Sequence, residues 1–145
     1  MEDRRLEPIR EKVEAGERLM PGLLISVATL PTGDGVYSVM RLVGEADLST
    51  TELRDALAAE LARKPRLLLI DMSALTFIDS GATQMIIAAH QVASRDSGAL
   101  ALLCPAAPVA RVLSLLGVDQ LISVYGSIDE AVTAAQEHCE ERESG

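Results

Sequence analysis

The feature that most constrains this chain is a repeated pairing of a short, unbroken apolar run with an amphipathic stripe. Arg66-Leu67-Leu68-Leu69-Ile70-Asp71 is one such run, and Ala99 to Cys104 is another. Apolar runs this short read as strands buried on both faces, as in the centre of a parallel sheet. Parallel neighbours need a crossover, usually a helix, and the stretches after both runs have helical periodicity. From Ser80 to about Ser94, Met85, Ala88, Ala89 and Val92 form an i, i+3, i+4, i+7 stripe that Asp96-Ser97-Gly98 ends. After the second run, Val109, Val112, Leu113 and Leu116 form another stripe, and Gly117 fits the position just beyond a helix C-terminus.

The flanks complete the pattern. Leu23 to Leu30 and Val36 to Val43 are β-branched, apolar runs separated by Pro31-Thr32-Gly33-Asp34-Gly35, which predicts an antiparallel hairpin. Ser49-Thr50-Thr51-Glu52 has capping-box spacing, and Leu53, Leu57 and Leu61 follow on one helical face until Lys64-Pro65 stops it. Leu121 to Tyr125 reads as a last strand, and Ser127-Ile128-Asp129-Glu130 as a second capping box opening a helix to about Cys139. The order β-β-α-β-α-β-α-β-α predicts a single α/β domain over residues 21–139. Its sheet is mixed and mostly parallel, with an N-terminal hairpin and about four packed helices. Leu68, Ile70, Leu100 and Leu102 are its expected core. Residues 1–20 read as an extension with a short helix between Pro8 and Gly16, and residues 140–145 as a charged tail. At 145 residues the chain is long enough to bury about 68–70 % of its unfolded surface without disulfides or a structural metal.

Charge and composition exclude several functions. Thirteen basic against 22 acidic side chains give a net charge of −9, which argues against a duplex-binding protein, and Trp 0, Phe 1 and Tyr 2 leave no platform for stacked bases. Cys104 and Cys139 make no disulfide framework, so a reducing cytoplasm is expected. No stretch is apolar for the ~18 residues a span requires, and the start Met1-Glu2-Asp3-Arg4-Arg5 is not that of a secretory signal. A soluble, unprocessed chain with no membrane or nucleic-acid partner is therefore expected.

Catalytic constellations do not assemble. Ser80, His90 and Asp71 suggest a hydrolase triad, but Ser80 and His90 fall on one predicted helix about 15 Å apart, whereas a nucleophile and its base need ~3 Å. His138-Cys139 is the one adjacent pair of metal-ligand type, and neighbouring side chains diverge on a helix, so no metal site is expected. Gly33-Asp34-Gly35 leads into a strand, whereas a dinucleotide fingerprint opens a helix, and no P-loop Gly-Lys-Ser/Thr occurs. No cofactor and no catalytic residue are expected.

One segment stands out, Leu75-Thr76-Phe77-Ile78-Asp79-Ser80-Gly81-Ala82-Thr83, between a buried strand and an apolar helix. In the plainer reading Asp79 or Ser80 is a helix cap and Gly81 relaxes the turn. In the functional reading the Ser80 hydroxyl is an exposed modification site. A phosphate there would face free N–H groups and the positive end of the helix dipole, and would change what can dock without refolding the domain.

Leu42-Val43-Gly44-Glu45-Ala46-Asp47 before a capped helix, then Leu67-Leu68-Leu69-Ile70-Asp71 and Phe77-Ile78-Asp79-Ser80, together resemble the STAS domain of bacterial anti-sigma-factor antagonists over roughly residues 23–138. The resemblance implies a non-catalytic partner switch. The unphosphorylated antagonist binds an anti-sigma factor that is itself a serine kinase; phosphorylation of the serine after Phe-x-Asp, here Ser80, ends the binding, and a serine phosphatase resets it. It also implies a docking surface of Asp79, Ser80, Gly81, Ala82 and Thr83 with the turn residues Gly44, Glu45 and Asp47. Family members usually continue Ser-Ser/Thr-Gly-Leu where this chain has Ser80-Gly81-Ala82-Thr83. The competing reading is a STAS subunit of a stressosome-like scaffold or a transporter regulator, in which Ser80 only caps its helix. Oligomeric state does not follow from the sequence.

Overall fold

The structure, a computed structural model, describes residues 22–33, 35–47 and 51–144, with backbone alone for 138–144. The expected N-terminal helix within residues 1–20 and the Ser49 cap lie outside these residues. Five strands form one sheet in the order β1 (Leu23–Thr32), β2 (Gly35–Ala46), β3 (Leu67–Ile78), β4 (Ala99–Leu103) and β5 (Val124–Tyr125). β1 and β2 pair antiparallel from Leu23↔Gly44 to Thr32↔Gly35, and every later pairing is parallel. Five helices are described: α1 (Thr51–Ala62), α2 (Ser80–Arg95), α3 (Ala107–Leu115), the single turn α4 (Val118–Leu121) and α5 (Ile128–Ser144).

The unbroken apolar run of β3 has a direct cause. Side chains alternate across a strand, and both faces of this one are covered. Leu68, Ile70, Leu100 and Leu102 pack with Leu53, Leu57 and Leu61 of α1, Ile86 of α2, and Val109 and Leu113 of α3. Leu67, Leu69 and Ala101 point the other way, into a smaller cluster with Tyr37 of β2 and Ala131 of α5. The four expected strand-core residues are all buried.

Several boundaries differ from expectation. β3 does not end at Asp71 but continues to Ile78, because it stays paired with β2 up to Ala46↔Ile78 across register shifts at Arg41/Val43 and Gly44/Glu45. On α2 the period holds but the buried face is rotated. Ala82, Thr83, Ile86, Ala89 and Ala93 turn inward, Met85 and Val92 are half-buried, and Ala88 is exposed. Small residues let the helix lie close to the sheet, a preference that hydrophobicity alone ranks behind Met and Val. On α3, Val109 and Leu113 are buried, but Leu116 lies past the helix end and is exposed. Gly117 takes φ +76 just beyond it, as its position suggested. The chain then makes the turn α4, so β5 shrinks to two residues. α5 runs on to Ser144 instead of ending near Cys139.

Candidate functional site

The segment singled out above is where β3 passes into α2. Asp79 is extended at φ −107 and ψ 180, and its Oδ1 accepts from the Ala82 N–H at 2.8 Å. Its carbonyl accepts from the Thr83 N–H at 3.0 Å and from Thr83 Oγ1 at 2.8 Å. The cap is therefore Asp79, and Ser80 is the first helical residue, exposed, with no hydrogen-bond partner for its hydroxyl among the described residues. Ala82 and Thr83 have their N–H groups occupied by Asp79, while those of Ser80 and Gly81 stay open among the described residues. Open donors at a helix N-terminus suit an anion.

β2 brings the second half of the site. Glu45 sits opposite Phe77 and Ala46 opposite Ile78, and the Asp79 N–H donates to the Ala46 carbonyl at 3.2 Å. Thr76 Oγ1 donates to the Gly44 carbonyl at 2.9 Å. Gly44 holds φ +114, and a Cβ there would stand 2.8 Å from the Gly22 carbonyl oxygen. Strand pairing, the Asp79–Ala46 backbone bond and the Thr76 hydroxyl thus hold Gly44 and Glu45 beside Phe77 and Asp79, with Asp47 and Ser80 next along the two chain segments, although more than 30 residues separate Gly44 from Thr76. Glu45 is exposed, while Asp47 and Asp79 are half-buried.

Two residues expected on the surface are not there. Ala82 and Thr83 are 0 % and 1 % exposed, because the helix turns them onto the sheet. Conversely, Phe77, the only phenylalanine, is 47 % exposed next to Glu45. An apolar motif position normally reads as core, and what could have marked Phe77 as outward is its place between the inward Leu75 and Ile78, where β3 leaves strict alternation.

The division of labour between neighbours is measurable. Asp79→Ala is expected to cost about 0.5–2 kcal/mol through the lost cap, and Ser80→Ala close to nothing; urea unfolding of the two variants compares them. An equal loss in both would return the capping role to Ser80.

His90 lies on α2 with Ser80 but lines a different feature, a half-open cavity of about 560 Å³ with Ser94, Leu100, Ser123 and Tyr125. Among the described residues no group of three His, Cys, Asp or Glu could hold a metal ion, and no helix is long and apolar enough to cross a membrane. Cys104 is free, its Sγ donating to the Gly126 carbonyl at 2.9 Å.

The sequence profile of the STAS domain matches residues 28–131. The chain belongs to the STAS domain family. This STAS domain is similar to the crystal structure of an anti-sigma factor antagonist from Mycobacterium paratuberculosis, at 30% identity and TM-score 0.63, over 77% of this chain and 95% of that one. It is also similar in fold to the Bacillus cell fate determinant SpoIIAA in its phosphorylated form, at 18% identity and TM-score 0.57, over 77% and 98% of the two chains. The SulP transporter STAS domain from Vibrio cholerae shares the fold at 17% identity and TM-score 0.52, over 67% and 83%. A search of curated protein sequences gave no significant match.

Proposed function

We propose that this STAS domain is an anti-sigma-factor antagonist acting as a partner switch. It binds a serine-kinase anti-sigma factor while Ser80 is unmodified, loses that partner when Ser80 is phosphorylated, and is reset by a serine phosphatase. It acts in the cytoplasm and catalyses nothing itself. The observation that carries this reading is the position of Ser80: exposed at the first turn of α2, relieved of capping by Asp79, and flanked by open N–H groups. A phosphate there meets donors already facing it, so the modification needs no rearrangement of the fold. The 30% identity to an anti-sigma factor antagonist, over nearly all of that protein, points to the same function.

The docking surface in this reading comprises Glu45, Phe77, Ser80 and Gly81, with Gly44, Asp47 and Asp79 holding its shape; Ala82 and Thr83 support it from below. Intact-mass analysis of the protein from its native cells, with peptide mapping across Phe77 to Gln84, tests the switch. A single phosphate on Ser80, removable by a phosphatase, is expected. An unmodified Ser80 under every growth condition, with the chain held in a constitutive complex, would instead favour the scaffold or transporter-regulator reading, whose fold the SulP domain shares.

A further inference from the structure

The cavity beside His90 opens where the sheet stops short. β5 pairs with β4 only at Leu102↔Val124 and Leu103↔Tyr125, because the chain before it is taken up by the turn α4. The Ala99 N–H of β4 donates to the Arg66 carbonyl on the β3 side, whereas the Leu102 and Cys104 N–H groups donate to the carbonyls of Ser123 and Tyr125 on the β5 side. Peptide groups alternate in direction along a strand, so the N–H and C=O of Leu100 also face the β5 side, at a level that β5 does not reach. No described residue bonds either group there, although Leu100 is only 3 % exposed and lines the cavity. His90, which also lines it, has a buried Nδ1 with no hydrogen-bond partner among the described residues. Buried polar groups are normally paired. These unmet ones border one space of about 560 Å³, a size typical of sites for small ligands.

The occupant follows from the groups it has to satisfy. The Leu100 edge calls for a donor and an acceptor at the spacing of a neighbouring strand, which an extended peptide supplies in its own N–H and C=O. Charge gives that peptide a direction. Among the described residues Arg66 brings a guanidinium to the cavity and no acidic side chain lines it, while Asp129, Glu130 and Glu137 line a second pocket that shares Tyr125 and Ala134 with the first. Arg66 stands at the start of β4, bonded to Ala99, and Tyr125 stands opposite Leu103 at its end. A segment antiparallel to β4 therefore brings its C-terminus toward Arg66 and away from the Tyr125 end. With one open peptide group on the edge the paired stretch is short, and its end falls at Arg66. We propose that the cavity binds the C-terminal end of a polypeptide, added as a short antiparallel strand on the Leu100 edge with its terminal carboxylate on Arg66. Ala131, Ala134 and Ala135 of α5 leave room for its side chains. Arg66 precedes β3 and Ser80 follows it, so this site and the Ser80 surface lie at opposite ends of a 12-residue strand.

Affinity selection on the full chain tests this, using synthetic tetrapeptides randomised at the last three positions, once as free acids and once as C-terminal amides. A subset of the free acids is expected to be retained, and the same sequences to bind at least about 10-fold more weakly as amides, through loss of a charged hydrogen-bond partner. Arg66→Gln is expected to weaken the free acids to a similar degree. Ser94→Trp, at an exposed position lining the cavity, is expected to block binding with an unchanged circular dichroism spectrum, and it keeps the test valid even where the Arg66 variant disturbs the start of β3. In proton–nitrogen correlation spectra the tightest free acid is expected to shift the Leu100 amide and leave those of Phe77 and Ser80 unmoved. The proposal is overturned if no peptide is retained, if acids and amides bind equally, if binding survives Ser94→Trp, or if the Leu100 amide does not respond. None of these results depends on whether Ser80 is phosphorylated.

Discussion

Phosphorylation of Ser80 is expected to weaken binding to the anti-sigma factor by at least about 100-fold, equivalent to ~2.7 kcal/mol. The added group brings about −1.5 to −2 charge to a surface that already holds Glu45, Asp47 and Asp79. A docked partner would have to bury that dianion beside those carboxylates, and desolvating a charge without a matched counter-ion costs several kcal/mol. The domain itself pays little of this, because the open Ser80 and Gly81 N–H groups receive the phosphate. Calorimetric titration of the purified kinase with unmodified and phosphorylated protein reads the difference directly. Ser80→Ala is expected to bind like the unmodified protein and to keep binding in the presence of ATP, a lock in the bound state. Ser80→Glu is expected to fall between the two, since one carboxylate carries half the charge and fewer acceptor oxygens. Phosphorylated protein that binds as tightly as unmodified protein would end the switch hypothesis, whatever the acidic variant does.

How far the sequence could be read depended on whether a feature was local. The run Leu67 to Ile70 announced a strand covered on both sides, and the structure places its side chains alternately in two clusters on opposite faces of the sheet. Leu53, Leu57 and Leu61 announced a helix face, and all three are buried. What stayed hidden depended on neighbours distant in sequence. The extension of β3 past Asp71 follows from pairing with β2 rather than from its own polar residues. The rotation of α2 follows from close packing that favours Ala82, Ala89 and Ala93 over Met85 and Val92. At the site, the choice between Asp79 and Ser80 as cap was open on residue type alone, because both are good caps. It was settled by the extended backbone at Asp79, which aims its carboxylate at the Ala82 N–H. The one local sign of the outward turn of Phe77 is its place between Leu75 and Ile78, and it competes with the usual reading of an aromatic residue in an apolar motif as buried.

Gly44 was singled out as part of a turn motif, and its structural role leads to the second large effect. It sits at φ +114, outside the regions open to side-chain-bearing residues, with the Gly22 carbonyl oxygen 2.8 Å from where a Cβ would stand. Gly44→Ala therefore carries a backbone penalty of about 1–3 kcal/mol and a crowding penalty of about 1–3 kcal/mol, for an expected loss of about 2–6 kcal/mol. Relief would require the start of β1 to move away from β2, or Gly44 to rotate and drag its carbonyl from the Thr76 hydroxyl. Either movement disturbs the Glu45 to Asp47 side of the proposed docking surface, so partner binding is expected to weaken together with stability. Gly33 is the control, having open space where a Cβ would go and no positive φ. Gly33→Ala is expected to be neutral, or stabilising by up to about 1 kcal/mol through the less flexible unfolded chain. Urea midpoints of the two variants decide the matter. A Gly44→Ala midpoint within error of Gly33→Ala would mean that β1 yields freely beside Gly44, and the docking surface would then rest on the Asp79 and Ala46 bond instead of on the glycine.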